Sequence, residues 1–109
     1  APGANKAVIL VGATLMLDFN SVAYDGVAAG EDLEIRYTDG SGQLVATIET
    51  DPFLTSAADA VRYVYPASTA AITPVANAAL VMNLASAEIA TGNSPLKVKV
   101  EYKIIDMVL

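Results

Sequence analysis

The chain has 109 residues, 6 Lys and Arg against 12 Asp and Glu, a formal net charge of −6, and neither His nor Cys. That composition excludes imidazole bases, imidazole and thiolate metal ligands, thiolate nucleophiles and disulfides; with no Trp and 6 basic residues it also argues against a basic stripe for nucleic-acid phosphates. The remainder is 54% hydrophobic and 17% charged, the opposite of a disordered composition, and the length predicts one domain over residues 1–109.

Ala1, Pro2, Gly3, Ala4 and Asn5 predict a flexible N-terminal arm, and the small first residue is consistent with removal of an initiator Met. Lys6 followed by Ala7–Leu17 has the charged and apolar regions of a secretory leader, and Ser21-Val22-Ala23 mimics its cleavage site. Gly12 and Thr14 weaken that apolar run, so Lys6–Leu17 reads instead as a long first strand with a bulge near Gly12. Asn20–Glu31 holds Asp25-Gly26 and Gly30 and reads as a loop. Leu33, Ile35 and Tyr37 then alternate with Asp32, Glu34, Arg36 and Thr38, and Asp39-Gly40-Ser41-Gly42 turns the chain into Leu44–Thr50. Period-two alternation around a Gly-rich turn predicts a β-hairpin, closed either by a φ > 0 turn or by a type I turn with a bulge.

Thr55–Tyr65 carries two signals. Ser56-Ala57-Ala58-Asp59 resembles a capping box, which predicts a short helical turn at Leu54–Ala58; Val61, Tyr63 and Tyr65 alternate, which predicts a strand over Ala60–Tyr65 ending at Pro66. Asn77–Ser86 predicts another strand, with Leu80, Met82 and Leu84 on one side and Val81 and Asn83 on the other. Ala87–Ser94 is a linker whose Thr91-Gly92-Asn93-Ser94 is a turn signal. The last segment has the strictest pattern: Leu96, Val98, Val100, Tyr102 and Ile104 alternate with Lys97, Lys99, Glu101 and Lys103, predicting a strand with one buried and one wet face. Ile105 breaks the alternation, and a bulge or change of sheet there would restore it for Met107 and Leu109.

These spacings, with 12 Val and 7 Ile against 10 Leu, predict an all-β fold: an antiparallel β-sandwich of six to eight strands, jelly-roll or Ig-like, with at most one short helix. No apolar run reaches the ~20 residues of a membrane helix, and no membrane or nucleic-acid partner is expected. So apolar a small domain predicts that part of its hydrophobic surface faces another chain, as a homo-oligomer. Charge is uneven, −7 over residues 1–60 and +1 over 61–109; solvated acidic loops account for this, and an acidic pole for a basic partner is the sharper reading.

No catalytic, metal or cofactor site emerges. A carboxylate pair, with Lys or Tyr beside it, is the one device for general acid–base work that the composition leaves; the candidates are Asp18 with Asp25, or Glu31 with Asp32 and Glu34, and most sit beside turns where Asp caps backbone amides. Asp39-Gly40-Ser41-Gly42 has too few carboxylates for calcium, and Gly40-Ser41-Gly42 lacks the Lys and helix of a phosphate loop. The Lys97, Lys99 and Lys103 row reads as a solvent face or a guard on a strand edge. Tyr37, Tyr63 and Tyr102 lie in phase with inward positions and are expected in the core. Tyr24, in its loop, and Tyr65 with the Pro66 that follows it are the expected interface anchors, together with the Ala1–Asn5 arm.

Several stretches together resemble small β-sandwich structural proteins of tailed bacteriophages, especially capsid decoration (cement) proteins. They are Lys6-Ala7-Val8-Ile9-Leu10, Ala23-Tyr24, Leu33-Glu34-Ile35-Arg36-Tyr37, Leu54-Thr55-Ser56-Ala57-Ala58-Asp59-Ala60-Val61-Arg62, Asn77-Ala78-Ala79-Leu80 and Ala90-Thr91-Gly92-Asn93-Ser94-Pro95-Leu96-Lys97-Val98. The resemblance spans most of the chain and carries over no functional residues. It implies a non-enzymatic virion protein, assembled in the bacterial host cytoplasm, that binds the major capsid protein on the outer surface of an assembled head as a homotrimer and stabilises it. A tail or fibre component, or an Ig-like adhesion or carbohydrate-binding module, is the alternative.

Overall fold

Alternating apolar residues become six strands: β1 (Lys6–Leu17), β2 (Leu33–Tyr37), β3 (Leu44–Ile48), β4 (Ala60–Val64), β5 (Leu80–Leu84) and β6 (Leu96–Asp106). The computed structural model describes residues 1–109 except 29, 69, 87 and 109. The strands form two antiparallel three-stranded sheets, ordered β4-β1-β6 and β3-β2-β5. The chain is thus all-β, and the two sheets pack as a small open sandwich with no helix among the described residues.

The core lies where β1 and β4 cover β2 and β3. Leu10, Ala13, Leu15 and Leu17 of β1 and Val64 of β4 meet Leu33, Ile35 and Tyr37 of β2 and Val45, Ala46 and Ile48 of β3. The Tyr37 hydroxyl crosses this core and donates to the Val8 carbonyl, tying the two sheets together. Burial in the apolar core also holds the Tyr37 phenol above its ordinary range, because the phenolate would lose its hydration.

β1 carries the bulge expected near Gly12. Leu10 pairs with Tyr102 and Gly12 with Glu101, so Val11 is the extra residue. A second bulge, unforeseen in the sequence, shifts β3 against β2 between Ile35 and Arg36, so Val45 and Ala46 are both buried although adjacent. Between β2 and β3, Asp39 caps its own turn: its Oδ1 accepts from the Ser41 amide and its carbonyl from the Gly42 amide. On the outer face of β2, Arg36 pairs with Glu34 and donates to the Gly42 carbonyl, bracing the hairpin.

Three local expectations are corrected. The helical turn placed at Leu54–Ala58 is instead a single turn over residues 51–55, closed by the Leu54 amide on the Thr50 carbonyl (2.6 Å). Phe53 and Leu54 drop their side chains into the core, which sets this turn. Ser56 and Asp59 do not form a capping box: the Ser56 hydroxyl bonds only within residues 56–58, and Asp59 accepts from the distant Phe19 amide. Second, no bulge occurs at Ile105, since β6 stays in register with β1 through Ile105–Ala7 and Asp106–Lys6, and the Met107 amide bonds Asn5 beyond them; Leu109 lies outside the described residues. Third, the final strand has no buried face: only Leu96 is half-buried and Lys97–Asp106 are all exposed.

That exposure follows from the shape. β3 and β4 close one side of the sandwich, while on the other side β5 and β6 stand apart. The molecule measures 51 × 22 × 20 Å with a radius of gyration of 15.0 Å, against roughly 13 Å for a compact chain of this length.

Candidate interaction surfaces

Pairing across an antiparallel ladder puts opposite residues on the same face. Leu15 pairs with Val98, Ala13 with Val100, Leu10 with Tyr102 and Val8 with Ile104, so the apolar row of β6 faces inward with the core residues of β1. The same logic through β2 points Leu80, Met82 and Leu84 of β5 inward, as expected from sequence. None of the described residues fills the space between the two rows. Val98, Val100, Tyr102 and Ile104 are 40%, 45%, 59% and 53% exposed, and they line an open apolar groove with Leu80 and Met82. Its wider part holds about 400 Å³. Tyr102 is therefore on the inner face, as its phase predicts, yet outside the core, because the second sheet does not reach over β6.

A second apolar surface lies on the opposite face of the same sheet, at its β4 edge. Val61, Tyr63 and Tyr65 are 60%, 58% and 63% exposed. Tyr63 pairs with Thr14 and faces outward with it, which corrects its expected place in the core. The inward positions of β4 belong to the other parity, with Ala60, Arg62 and Val64 opposite Leu17, Leu15 and Ala13. Arg62 fits there by laying its guanidinium over the buried Phe53 ring at 5.1 Å. The rings of Tyr63 and Tyr65 meet edge to face, 4.9 Å apart; the neighbouring Tyr65 phenol raises that of Tyr63 above its ordinary range.

The expected interface residues divide among three places. Ala1 and Pro2 line the groove beside Tyr102 and Ile104. The segment that carries them is held to the domain by the Gly3 amide on Asn77 Oδ1 (3.0 Å), the Lys6 amide on Gly3 and the Met107 amide on Asn5, with Asn5 at φ 58° and Ala4 exposed. Tyr65 and the exposed Pro66 belong to the β4 surface. Tyr24 sits at the other end of β1, half-buried against the core, with its hydroxyl donating to the Ser94 carbonyl. Gly92 passes directly under its ring at φ +119°, where a Cβ would lie 2.2 Å from Tyr24 Cδ1. Tyr24 thus clamps its own chain, and its ring is engaged there.

Four of the five acids singled out in the sequence have partners in the fold. Asp25 accepts from the Gly26 amide, Glu31 from the Ala28 amide, Glu34 pairs with Arg36, and Asp18 lies 3.8 Å from Lys97. No group of three acids is placed to hold a metal ion among the described residues. Lys97, Lys99 and Lys103 share the outer face of β6 with Glu101.

The sequence pattern located the inward rows of β5 and β6 but missed that they line an open groove. Alternation reports which side a residue faces, and coverage depends on where the opposite sheet ends. Compared with models of known protein families, with curated proteins and with solved structures, the chain matches none.

Proposed function

We propose that this protein is a non-enzymatic structural component of a bacteriophage virion that binds the outer surface of the assembled head as a homo-oligomer and stabilises it. The observation that carries the reading is the uncovered apolar row of β6 over the groove. A domain of this size that leaves four inward residues half exposed gains by covering them. Apolar burial contributes roughly 25 cal/mol per Å² before association costs. Repeated over many identical sites on a shell, modest contacts sum to a resistance against internal pressure. The resemblance to capsid decoration proteins supports the major capsid protein as the partner. The net charge of −6 disfavours adventitious binding to DNA during assembly.

The experiment adds purified protein to expanded heads that lack it and then heats them. Saturable binding and a higher rupture temperature are expected; absence of binding overturns the reading. The elongated 51 Å outline also suits a tail or fibre subunit. Density along the tail, with bare head surfaces, would select that alternative.

A further inference from the structure

We infer that β6 is a self-recognition edge: two copies of this chain pair their β6 strands antiparallel about a two-fold axis at Tyr102, joining two three-stranded sheets into one of six strands. β6 has 11 residues and pairs only with β1 among the described residues, so its other edge presents a row of backbone donors and acceptors. Its inward side chains are the uncovered ones. A two-fold axis normal to the sheet keeps both inner faces on one side, so the two grooves merge over a common apolar floor.

The charges on the outer face choose the register. With the axis at Tyr102, Glu101 stands opposite the partner's Lys103, and symmetry gives this ion pair twice; Lys99 meets the partner's Ile105. On the inner face Tyr102 meets its own counterpart, Val100 meets the partner's Ile104 twice, and at each end of the shared stretch Val98 meets the partner's Asp106. Other centres along the strand lose this match. At Glu101 the acid faces itself and Lys99 opposes the partner's Lys103; at Val100, Lys97 opposes the partner's Lys103; at Val98, Lys97 opposes the partner's Lys99. An axis at Lys97, Lys99, Lys103 or Asp106 sets a charge against itself, and one at Ile104 or Ile105 brings no opposite charges together. The Tyr102 register is the one that pairs opposite charges without opposing like ones, which favours it across a ladder. The lysines that guard an edge against indiscriminate pairing here admit one alignment. An isologous contact closes at two copies, so the oligomer is a dimer, in place of the trimer implied by the resemblance.

The test measures mass by light scattering during size exclusion. The wild-type chain is expected at twice 11.2 kDa. Lys103→Glu or Glu101→Lys sets like charges together at both symmetric positions and is expected to give monomer, while the double swap E101K/K103E restores the dimer. Because the chain has no Cys, Tyr102→Cys is expected to form a disulfide-linked dimer under mild oxidation, since opposed residues ~4.5–5.5 Å apart suit a disulfide. Val61→Cys, equally exposed on β4, should cross-link far more slowly. A wild-type monomer or trimer, a folded double swap that stays monomeric, or equal cross-linking of the two variants overturns the pairing. Head binding is read separately: a monomeric wild-type chain that still binds heads removes only this inference, and a wild-type dimer that binds none removes only the capsid reading.

Discussion

β2 and β6 carry the same alternating pattern and meet different fates. Leu33, Ile35 and Tyr37 of β2 are buried, between neighbouring strands on both sides and under β1 and β4. Val98, Val100, Tyr102 and Ile104 of β6 face the same way as the core residues of β1 yet remain open to solvent. The difference lies outside either strand: sheet β3-β2-β5 is centred over β1 and β4 and ends short of β6. An inward face is thus a property of the strand, and burial a property of what lies opposite.

Substitutions across a single cross-strand pair give the largest test of that contrast. Leu15 is fully buried and its β6 partner Val98 is not. Leu15→Ala should cost about 2–5 kcal/mol by cavity formation, and Val98→Ala under ~1 kcal/mol in dilute solution, read from urea midpoints. Equal losses would show that β6 is as well packed as β1. Next in size is Tyr37→Phe, which removes the inter-sheet bond to Val8 and should cost about 0.5–1.5 kcal/mol; Tyr102→Phe should change monomer stability by less than ~0.5 kcal/mol.

The same residue sets a pH dependence. Burial raises the Tyr37 phenol above its ordinary value of 10.0, so the unfolded chain gives up that proton first. The contribution is fully present below pH 10 or so and is lost as pH rises through the higher folded value. Denaturant midpoints should therefore fall above about pH 10, and less steeply in Tyr37→Phe. The smallest effect belongs to the exposed Lys97–Asp18 pair at 3.8 Å. Lys97→Ala should shift stability by no more than ~0.5 kcal/mol, with any change vanishing in high salt.

Much of the fold was legible in the residues. Alternation through Leu33–Tyr37 and Leu96–Ile104, the Asp39–Gly42 turn and the Gly12 bulge are local features, and local backbone chemistry decides them. The misses are non-local. The β3 bulge turns both Val45 and Ala46 into the core. Tyr63 leaves its expected inward place because β4 turns its other parity inside, where Arg62 lies over Phe53 from a neighbouring turn. The turn at residues 51–55 is governed by two side chains finding the core, which no capping pattern reveals. The arm, Tyr24, Tyr65 and Pro66 were read as one class of anchor, and the fold separates them along the length of β1.

The first and last strands lie side by side and antiparallel, with the Met107 amide on the Asn5 carbonyl at one end and the Asp18 amide on the Pro95 carbonyl at the other. A pulling force applied between residues 5 and 107 would therefore load one rung at a time and open the ladder like a zipper, at low tension. The same force applied between residues 5 and 96, at opposite ends of the ladder, would strain every rung together in shear and meet far greater resistance. The mechanical strength of this small domain is thus directional, set by which points along β1 and β6 bear the load.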